Sequence, residues 1–506
     1  MTCLKEGSSF FNYYTLAIVT IGYVLGELGH YLIGVTSKQT AMDLHYGDKS
    51  CQMSTSDEIE SIFEVPGNAT CKAFGNSTSC DGVESCEWTW NGLGLDYQLL
   101  AGPSFIAIFT IFGVILGFMA DKYNRKATLT ICTFIFGAAC FAQGSVKTYW
   151  QLIILRMVMA AGESGCNPLA QGILSDIFPE DKRALVMAIF NWGIYGGYGL
   201  AFPVGRYITK ANIMNLGWRA CYYIAGICTL IIGVVTGLTL KEPPRKAIGN
   251  ENDKGNQPEE TLWKVMIHPR MLLLMLAASL RHCGGMTFAY NADLYYNTYF
   301  PEVDLGWWLF ALTIGIGSIG VVVGGVVSDK IVAKMGIRSR GYVLALSQLL
   351  STIPAFGSVY YEPKWAMTTL ALSYFFAEMW FGILFAIVVE IVPLKMRSSV
   401  IGIFLFVMNN IGGNLPIAVD PVSKILGYRA ALMIFYAGMY GISSILFLIT
   451  CIFLESGKKE KTETTGNIAE NAYQNSGFTN DEGVPKVIYT PRMFVPQDLD
   501  KESIRL

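Results

Sequence analysis

The sequence predicts an all-α membrane protein in which twelve transmembrane helices form two pseudo-symmetric halves of six. Composition is the first reason: hydrophobic residues make up 52% of the chain and charged residues only 15%, whereas ordinary soluble domains carry about 25% charged residues. The length of the apolar runs is the second reason, and an internal sequence repeat is the third. So large an apolar share is expected to lie in lipid rather than in one soluble core.

Twelve apolar runs are long enough to cross a bilayer, since about 20 helical residues span the hydrocarbon region. They lie near residues 11–36, 98–120, 127–146, 149–175, 184–209, 218–240, 271–298, 306–332, 341–361, 364–392, 398–420 and 428–454. The first run is too long, and too often interrupted by Gly and Tyr, for a cleaved signal peptide. We therefore expect it to be the first helix.

Motifs of the first half return in the same order in the second half. Gly117-Phe-Met-Ala-Asp121 returns as Gly325-Val-Val-Ser-Asp329, Asp176-Ile-Phe-Pro179 as Glu390-Ile-Val-Pro393, and Gly217-Trp-Arg219 as Gly427-Tyr-Arg429. We expect two six-helix halves, 1–240 and 271–455, a linker at 241–270 and a disordered tail at 456–506. Repeated halves around a midplane site are an architecture of transporters.

Basic residues set the predicted orientation. Lys and Arg cluster at 122–126, 182–183, 241–246, 330–340, 395–397 and 458–461, which are alternate connections. Positively charged connections stay in the cytoplasm, so both termini are expected there. The cytoplasmic segments contain no acidic dileucine signal, which favours the plasma membrane over the lysosome or endosome.

The connection 37–97 falls on the opposite side and is rich in acids. It carries four cysteines and two Asn-x-Thr sequons: Cys51, Cys71, Cys80, Cys86, Asn68 and Asn76. Four cysteines in a polar segment predict disulfides in an oxidising compartment, with three pairings open. Glycosylation at both sequons fits that location. We expect an extracellular or lumenal cap, with a merely disordered acidic loop as the alternative.

Ionisable residues inside the apolar runs need a compensating role, because a charge at the centre of a membrane helix costs about 2.5–3.5 kcal/mol, and six of them are candidates for binding substrate or protons. They are Glu27, His30, Arg156, Glu163, Arg281 and Glu378. Burial favours a protonated carboxyl, and imidazole titrates near neutrality. The acids and His30 are therefore candidate proton carriers, and the arginines suit an anionic group. The alternative for Arg156 and Glu163 is a fixed pair that only orients their helix.

A second charged set lies at the predicted cytoplasmic boundary. Asp121, Arg125 and Lys126 follow one helix, and Asp176, Asp329 and Glu390 are plausible partners. Pairs across the two halves would act as a gate that holds one conformation and parts in the other. The alternative is that these charges only enforce topology.

The sequence argues against an enzyme, a nucleic-acid-binding protein and a metal-binding protein. The chain has no Gly-x-x-x-x-Gly-Lys-(Ser/Thr) loop, and Gly162-Glu163-Ser164-Gly165-Cys166 is a near miss to a nucleophile elbow within a membrane run, so no enzyme is predicted. Its net charge of −2 argues against nucleic acid. His and Cys are too scattered for a metal site, and no cofactor is expected. Ser503-Ile-Arg-Leu506 could contact a PDZ-type groove.

The charged turn resembles the loop between helices two and three of the major facilitator superfamily. Gly117, Asp121, Lys122, Arg125 and Lys126 match the family pattern, and Asn124 replaces its glycine. With Asn124 at that position, the turn resembles that of the spinster-like branch. The fourth helix also resembles that branch, at Arg156, Gly162, Glu163, Asp176 and Phe178. The chain departs from that branch at Glu27, where an Asp-Arg pair is usual, and at Gln171, where proline is usual.

This resemblance implies a secondary active transporter that works by alternating access, with helices one, four, seven and ten around a central cavity. Combined with the buried charges, it predicts proton coupling and a small organic or lysolipid-like solute that is anionic or zwitterionic. The alternatives are a sugar or organic-anion carrier, and a transport-dead sensor or scaffold whose extracellular cap binds a ligand.

Overall fold

The computed structural model describes residues 9–53, 86–243, 262–300, 303–336, 338–392 and 397–454. In the first part of the chain the elements are α1 Ser9–Leu44, β1 Lys49–Met53, β2 Cys86–Trp90, α2 Leu95–Ala101, α3 Pro103–Lys122, α4 Arg125–Gln143, α5 Tyr149–Glu163, α6 Cys166–Ile177, α7 Glu180–Pro203, a π-helical turn Val204–Ile208, α8 Thr209–Ala211, a 3-10 turn Ile213–Asn215 and α9 Arg219–Thr239.

The second part of the chain is also helical. Its elements are α10 Leu262–Ile267, α11 Pro269–Tyr299, α12 Gly306–Ala311, a π-helical turn Leu312–Ile316, α13 Gly317–Met335, α14 Arg338–Tyr360, α15 Pro363–Ala377, α16 Trp380–Ile391, α17 Arg397–Asn414, a 3-10 turn Leu415–Ala418, α18 Val419–Leu426, α19 Tyr428–Leu432 and a π-helical segment Met433–Gly438 that continues as helix to Leu454.

The predicted all-α membrane fold is confirmed. Within the described ranges, ten helical segments are long and apolar enough to cross a membrane. The two predicted runs outside that set are 149–175 and 184–209. The first is divided by a turn at Ser164 and Gly165 into α5 and α6, and its buried Arg156 and Glu163 lower its hydropathy. The second run corresponds to α7 and the π-helical turn that follows it, and α7 starts with charged residues.

A two-stranded antiparallel ribbon in the 37–97 connection is a small exception to the helical prediction. Lys49 lies opposite Trp90, and Met53 lies opposite Cys86. Of the four predicted disulfide cysteines, Cys51 and Cys86 lie on the ribbon, whereas Cys71 and Cys80 are outside the described residues, as are Asn68 and Asn76. The disulfide and glycosylation assignments stay predictions. We call the side of the molecule that carries this ribbon the loop side.

Helix packing brings the early and late parts of the chain together. α1 packs along α7, and α4 packs along α9; α1 also meets α11, α3 meets α17, and α7 meets α12. Glycine allows a close approach between α1 and α7, because a Cβ at Gly197 on α7 would lie 2.4 Å from the Cβ of Glu27 on α1. One large buried apolar cluster surrounds α1, α5, α7 and α11, and a smaller one joins α11, α14, α16 and α17.

Candidate functional site

Three of the predicted residues form one buried cluster between α1 and α5. Glu27 and His30 lie one turn apart on α1, and Glu163 ends α5. All three are buried, and their nearest carboxylate and imidazole atoms lie within 4.8 Å of one another. The His30 Nδ1 is 3.9 Å from a Glu27 oxygen. We call these three residues the acid cluster.

Glu163 is the least solvated member of the acid cluster. It is 1% exposed, and neither of its carboxylate oxygens has a hydrogen-bond partner within the described structure. Gly26 lies alongside it, because a Cβ there would meet a Glu163 oxygen at 3.3 Å. A buried carboxylate without a donor is costly, whereas a protonated carboxyl is not charged. This arrangement suits a group that holds a proton.

Arg156 does not pair with Glu163, so the fixed-pair alternative is not what the structure shows. Its guanidinium donates from Nε to the Leu100 carbonyl at 2.9 Å, and from its other nitrogens to the carbonyls of Ala101 at 3.4 Å and His30 at 3.3 Å. Arg156 is fully buried. It holds α5 against α1 and the end of α2, and the structure places it as a structural residue rather than as an open anion site.

Arg281 and Glu378 form an ion pair in the later part of the chain. The Arg281 Nη2 is 3.2 Å from a Glu378 oxygen and 2.8 Å from the Ala377 carbonyl, and Nε donates to Gln348 at 3.2 Å. The guanidinium also lies over two aromatic rings, those of Trp380 at 4.4 Å and Tyr440 at 4.7 Å. Arg281 is 3% exposed, so this charge sits among aromatic rings in the membrane region.

Glu378 also contacts the first part of the chain. Its second oxygen accepts a hydrogen bond from the Tyr195 hydroxyl on α7 at 2.8 Å. The neighbouring Tyr374 hydroxyl lies 3.4 Å from the Tyr198 hydroxyl, also on α7. Glu378 therefore links Arg281 to α7, and a ligand that displaced Glu378 would change a contact between the two parts of the chain.

Two further contacts between the parts lie on the loop side, and sequence reasoning missed them. Arg206, in the π-helical turn after α7, pairs with Asp293 on α11 at 3.0 Å and with Asp304 at 3.2 Å. Asp293 is 3% exposed. Partial burial would raise the pKa of Asp304, but hydrogen bonds from the Gly306 N–H, Tyr207 and Arg206 lower it overall. An acid at position 293 inside an apolar run was the signal available in the sequence.

A second set of loop-side contacts joins α2 to α11 and α19. The Tyr97 hydroxyl donates to the Tyr290 carbonyl. The Gln98 amide donates to the Asn291 side chain at 2.8 Å, and the Tyr428 hydroxyl meets the same Asn291 oxygen at 3.1 Å. We call these five residues, Tyr97, Gln98, Tyr290, Asn291 and Tyr428, the loop-side lock.

The predicted gate residues divide into two separate clusters on the other side of the molecule. In the first, Arg125 pairs with Asp176 at 2.7 Å and with Glu242 at 3.0 Å, and the Lys126 backbone N–H donates to Glu242 at 2.8 Å. Glu242 was not among the predicted partners, because it lies at the start of the expected linker. The Asp121 side chain lies outside the described part of the structure.

The second cluster repeats the first one. Arg340 pairs with Asp329 at 2.7 Å and with Glu390 at 3.0 Å. Among the side chains that the structure describes on this side, no ion pair joins the two clusters. The predicted pairing of Arg125 with Asp329 or Glu390 is therefore not formed in this conformation, and the described partners of each arginine lie in the same part of the chain as that arginine.

The acid cluster is also the one group of described His, Cys, Asp and Glu side chains with the spacing to hold a small cation. His30 presents its other nitrogen, Nε2, to the Tyr290 hydroxyl at 3.3 Å rather than to a further ligand. No metal site was expected, and protons can neutralise the two carboxyls without any additional ligand. The acid cluster can therefore be neutral without a bound cation.

Comparison with known proteins agrees with the architecture. Residues 13–415 match the family model of the Major Facilitator Superfamily. The hexuronate transporter of Bacillus subtilis is 26% identical over 330 residues, which cover 61% of this chain and 75% of that protein. The sphingosine-1-phosphate transporter of Xenopus tropicalis is 29% identical over 140 residues, 27% of this chain and 26% of that one.

A solved structure shares the fold. A bacterial homologue of the human lysosomal transporter Spinster, in an inward-facing and unoccupied conformation, superposes with a TM-score of 0.65 at 16% identity, covering 89% of this chain and 98% of that one. The predicted resemblance to the spinster-like branch is confirmed by these similarities. The chain belongs to the Major Facilitator Superfamily and is a multi-pass membrane transporter rather than an enzyme.

Proposed function

We propose that this transporter moves a small organic or lysolipid-like solute that carries an acidic group, by alternating access and coupled to protons. The observation that carries the proposal is Arg281, a permanently charged guanidinium in the membrane region whose only described ion-pair partner is Glu378. A charge held in that position needs a compensating function.

The solute's acidic group would bind Arg281 by replacing Glu378. The guanidinium has five donors, and its planar fork matches a carboxylate or phosphate. Glu378 would then lose its cation, and the displaced carboxylate would take up a proton or keep only its bond from Tyr195. Anion binding is thereby linked to a proton and to a contact with α7.

The acid cluster provides a second proton site. Two carboxyl groups that lie within 4.8 Å of each other resist simultaneous ionisation, because like charges disfavour each other in a region of low dielectric. Glu27 is partly accessible, with a side chain 10% exposed, whereas Glu163 is enclosed. A proton could enter at Glu27 and be shared with Glu163.

The arrangement of contacts supports alternating access. The described polar contacts between the halves include the Arg206–Asp293 pair and the Gln98–Asn291 bond of the loop-side lock on the loop side, and the Tyr195–Glu378 bond near the middle. The Arg125 and Arg340 clusters stay within their own halves. We interpret this as a conformation closed on the loop side, and the inward-facing form of the Spinster homologue supports that interpretation.

The repeated motifs and the basic clusters of the sequence support the following topology. We propose halves at 1–240 and 271–455, a linker at 241–270, a tail at 456–506 and both termini in the cytoplasm. The gate of Asp121, Arg125, Lys126, Asp176, Asp329 and Glu390 would form across the halves only when the loop side opens. We retain the plasma membrane, and the disulfides and glycans of the 37–97 connection, as parts of the same proposal.

The solutes named for two relatives support the proposal of an acidic solute. A hexuronate carries a carboxylate and sphingosine-1-phosphate carries a phosphate, and both names describe what those relatives transport. The two solutes share an anionic group and little else, which matches a site built around one arginine.

Uptake by the full-length protein in liposomes tests the proposal. Hexuronate, sphingosine-1-phosphate and an uncharged hexose would be offered in sodium-free buffer with EDTA, with and without an imposed pH gradient. We expect the gradient to drive accumulation of at least one acid and not of the hexose. Arg281→Lys should lower that uptake about ten-fold or more, and Arg270→Lys, at the start of the same helix, should not.

Three results would contradict the proposal. Uptake of the hexose equal to that of the acids would favour a sugar carrier. Uptake that required sodium or a metal ion rather than a pH gradient would remove proton coupling. No flux of any offered solute, combined with ligand binding by the 37–97 connection, would favour the sensor alternative.

A further inference from the structure

His30 lies between the acid cluster and the loop side of the molecule. One imidazole nitrogen, Nδ1, is 3.9 Å from Glu27, and the other, Nε2, is 3.3 Å from the Tyr290 hydroxyl on α11. The ring stacks on Phe105 at a centroid distance of 3.8 Å and on Tyr31 at 4.5 Å. These stacking contacts fix the plane of the ring, so both nitrogens keep their directions.

The backbone of His30 is held as firmly as its ring. Its carbonyl accepts a hydrogen bond from Arg156, which is itself bound to the end of α2. The titratable or charged groups around the imidazole include Glu27 and Tyr31 on α1, Arg156 and Glu163 on α5, and Tyr290 on α11, and α3 contributes the ring of Phe105. Within this described surrounding, Tyr290 is the neighbour that belongs to the second half.

Tyr290 belongs to the acid cluster's surroundings and to the loop-side lock at the same time. Its hydroxyl meets His30, while its carbonyl accepts the Tyr97 hydroxyl. The next residue, Asn291, accepts hydrogen bonds from Gln98 and Tyr428. A shift of Tyr290 would therefore disturb the contacts that hold α2 against α11.

We propose that the His30–Tyr290 hydrogen bond transmits the protonation state of the acid cluster to the loop-side lock. The inference rests on the proposed proton coupling and adds the residue pair that connects it to the gate. An imidazole with one nitrogen facing a carboxyl group and the other facing a hydroxyl can reverse its role. When Glu27 is ionised, Nδ1–H points to the carboxylate and Nε2 accepts from Tyr290.

When Glu27 carries the proton, the preferred arrangement reverses. Nδ1 then faces a donor, and Nε2–H donates to the Tyr290 oxygen, so the Tyr290 hydroxyl hydrogen must turn away from His30. The direction of the His30–Tyr290 hydrogen bond thus differs between the two protonation states of Glu27, although His30 is neutral in both. This difference biases the loop-side lock toward one conformation, as a two-state gate requires.

Tyr290→Phe tests the inference because it removes only the hydroxyl, and Tyr296→Phe is the matched control. Both tyrosines are on α11 and 1% exposed, but the Tyr296 hydroxyl donates to the Ser358 carbonyl within the second half. Nitroxide-bearing amino acids at Met214 and Ile425, which are 87% and 81% exposed on the loop side, would report the distance between the halves in lipid nanodiscs.

We expect the ratio of loop-side-open to closed molecules to change with pH in the wild-type protein. Tyr290→Phe should shift that ratio about three- to ten-fold at fixed pH, as expected for one lost hydrogen bond, and should remove most of its pH dependence. Tyr296→Phe should keep the wild-type pH dependence. Loss of pH dependence in Tyr290→Phe alone would support a coupling role, because a merely structural defect would leave the pH profile in place.

Two results would overturn the inference. One is a Tyr290→Phe protein with the full wild-type pH dependence, and the other is a wild-type protein whose distances do not respond to pH. The proposed function is judged separately by gradient-driven uptake: if uptake stays proton-driven while the distances of Tyr290→Phe titrate normally, only the His30–Tyr290 coupling fails.

Discussion

Replacing Glu378 by glutamine removes the negative charge beside Arg281 while keeping the side-chain size. At the observed 3.2 Å separation the attraction between the charges is about 5 kcal/mol for an effective dielectric constant near 20, and desolvation offsets much of it. Stranding one member of a buried pair costs about 3–5 kcal/mol. Gln348, the Ala377 carbonyl and two aromatic rings still contact Arg281, so we expect a loss of about 2–3 kcal/mol.

A double-mutant cycle identifies the pair as the origin of that loss. Arg281→Met combined with Glu378→Gln removes both charges of this pair. The loss in the free energy of unfolding should therefore be smaller than the sum of the two single losses, by at least about 1 kcal/mol. The assay is reversible unfolding in mixed micelles with a denaturing detergent. Glu390→Gln is the control, because its pair with Arg340 is more exposed and should contribute less than about 1 kcal/mol.

The result that would refute this reasoning is a Glu378→Gln protein within about 0.5 kcal/mol of the wild type. Strict additivity in the double variant would refute it too, since the two side chains would then not interact. Either result would mean that Arg281 is stabilised by its carbonyl, amide and aromatic neighbours alone. Displacement of Glu378 by the solute's anionic group would then have no effect on Arg281, and the proposed mechanism of solute binding would fail.

Three further perturbations have definite expected outcomes. Arg156→Lys leaves buried carbonyls without donors and should lower the free energy of unfolding by about 2 kcal/mol or more, seen in the same unfolding assay. Gly197→Ala places a Cβ 2.4 Å from a neighbouring helix and should cost about 1–3 kcal/mol, whereas Gly325→Ala enters open space and should be neutral; equal effects would contradict the packing. Arg206→Gln strands the buried Asp293 and should raise the loop-side-open population about ten-fold, measured by spin-label distances; an unchanged population would exclude the pair as a gate.

The sequence predicted the helices and the buried charges because both depend on the cost of placing a charged side chain in the membrane. A charged side chain in an apolar run is expensive, so each of them stood out without any knowledge of the fold. Glu27, His30 and Glu163 could be named in this way, and the structure places them together. Their mutual distance could not be predicted, because α1 and α5 are separated by more than a hundred residues.

The interaction partners of the buried charged residues were harder to predict than the positions of those residues in the sequence. Arg156 and Glu163 are two turns apart on one helix, which suggested a pair, yet Arg156 turns to carbonyls at the end of α2. Backbone carbonyls carry no sequence signature, so no pattern could reveal that contact. Arg206 and Asp293 pair across the two parts of the chain. Both residues lie near the ends of apolar runs, where a charge is less conspicuous than at a centre, so sequence reasoning missed them.

Proton movement that accompanies solute uptake tests the central claim most directly. A pH-sensitive dye enclosed in liposomes, with no imposed pH gradient, would report protons entering with hexuronate or sphingosine-1-phosphate. We predict acidification in step with solute entry for the wild-type protein, and its loss in Glu163→Gln while solute still equilibrates downhill. Solute entry with no change in internal pH in the wild-type protein would contradict proton-coupled transport.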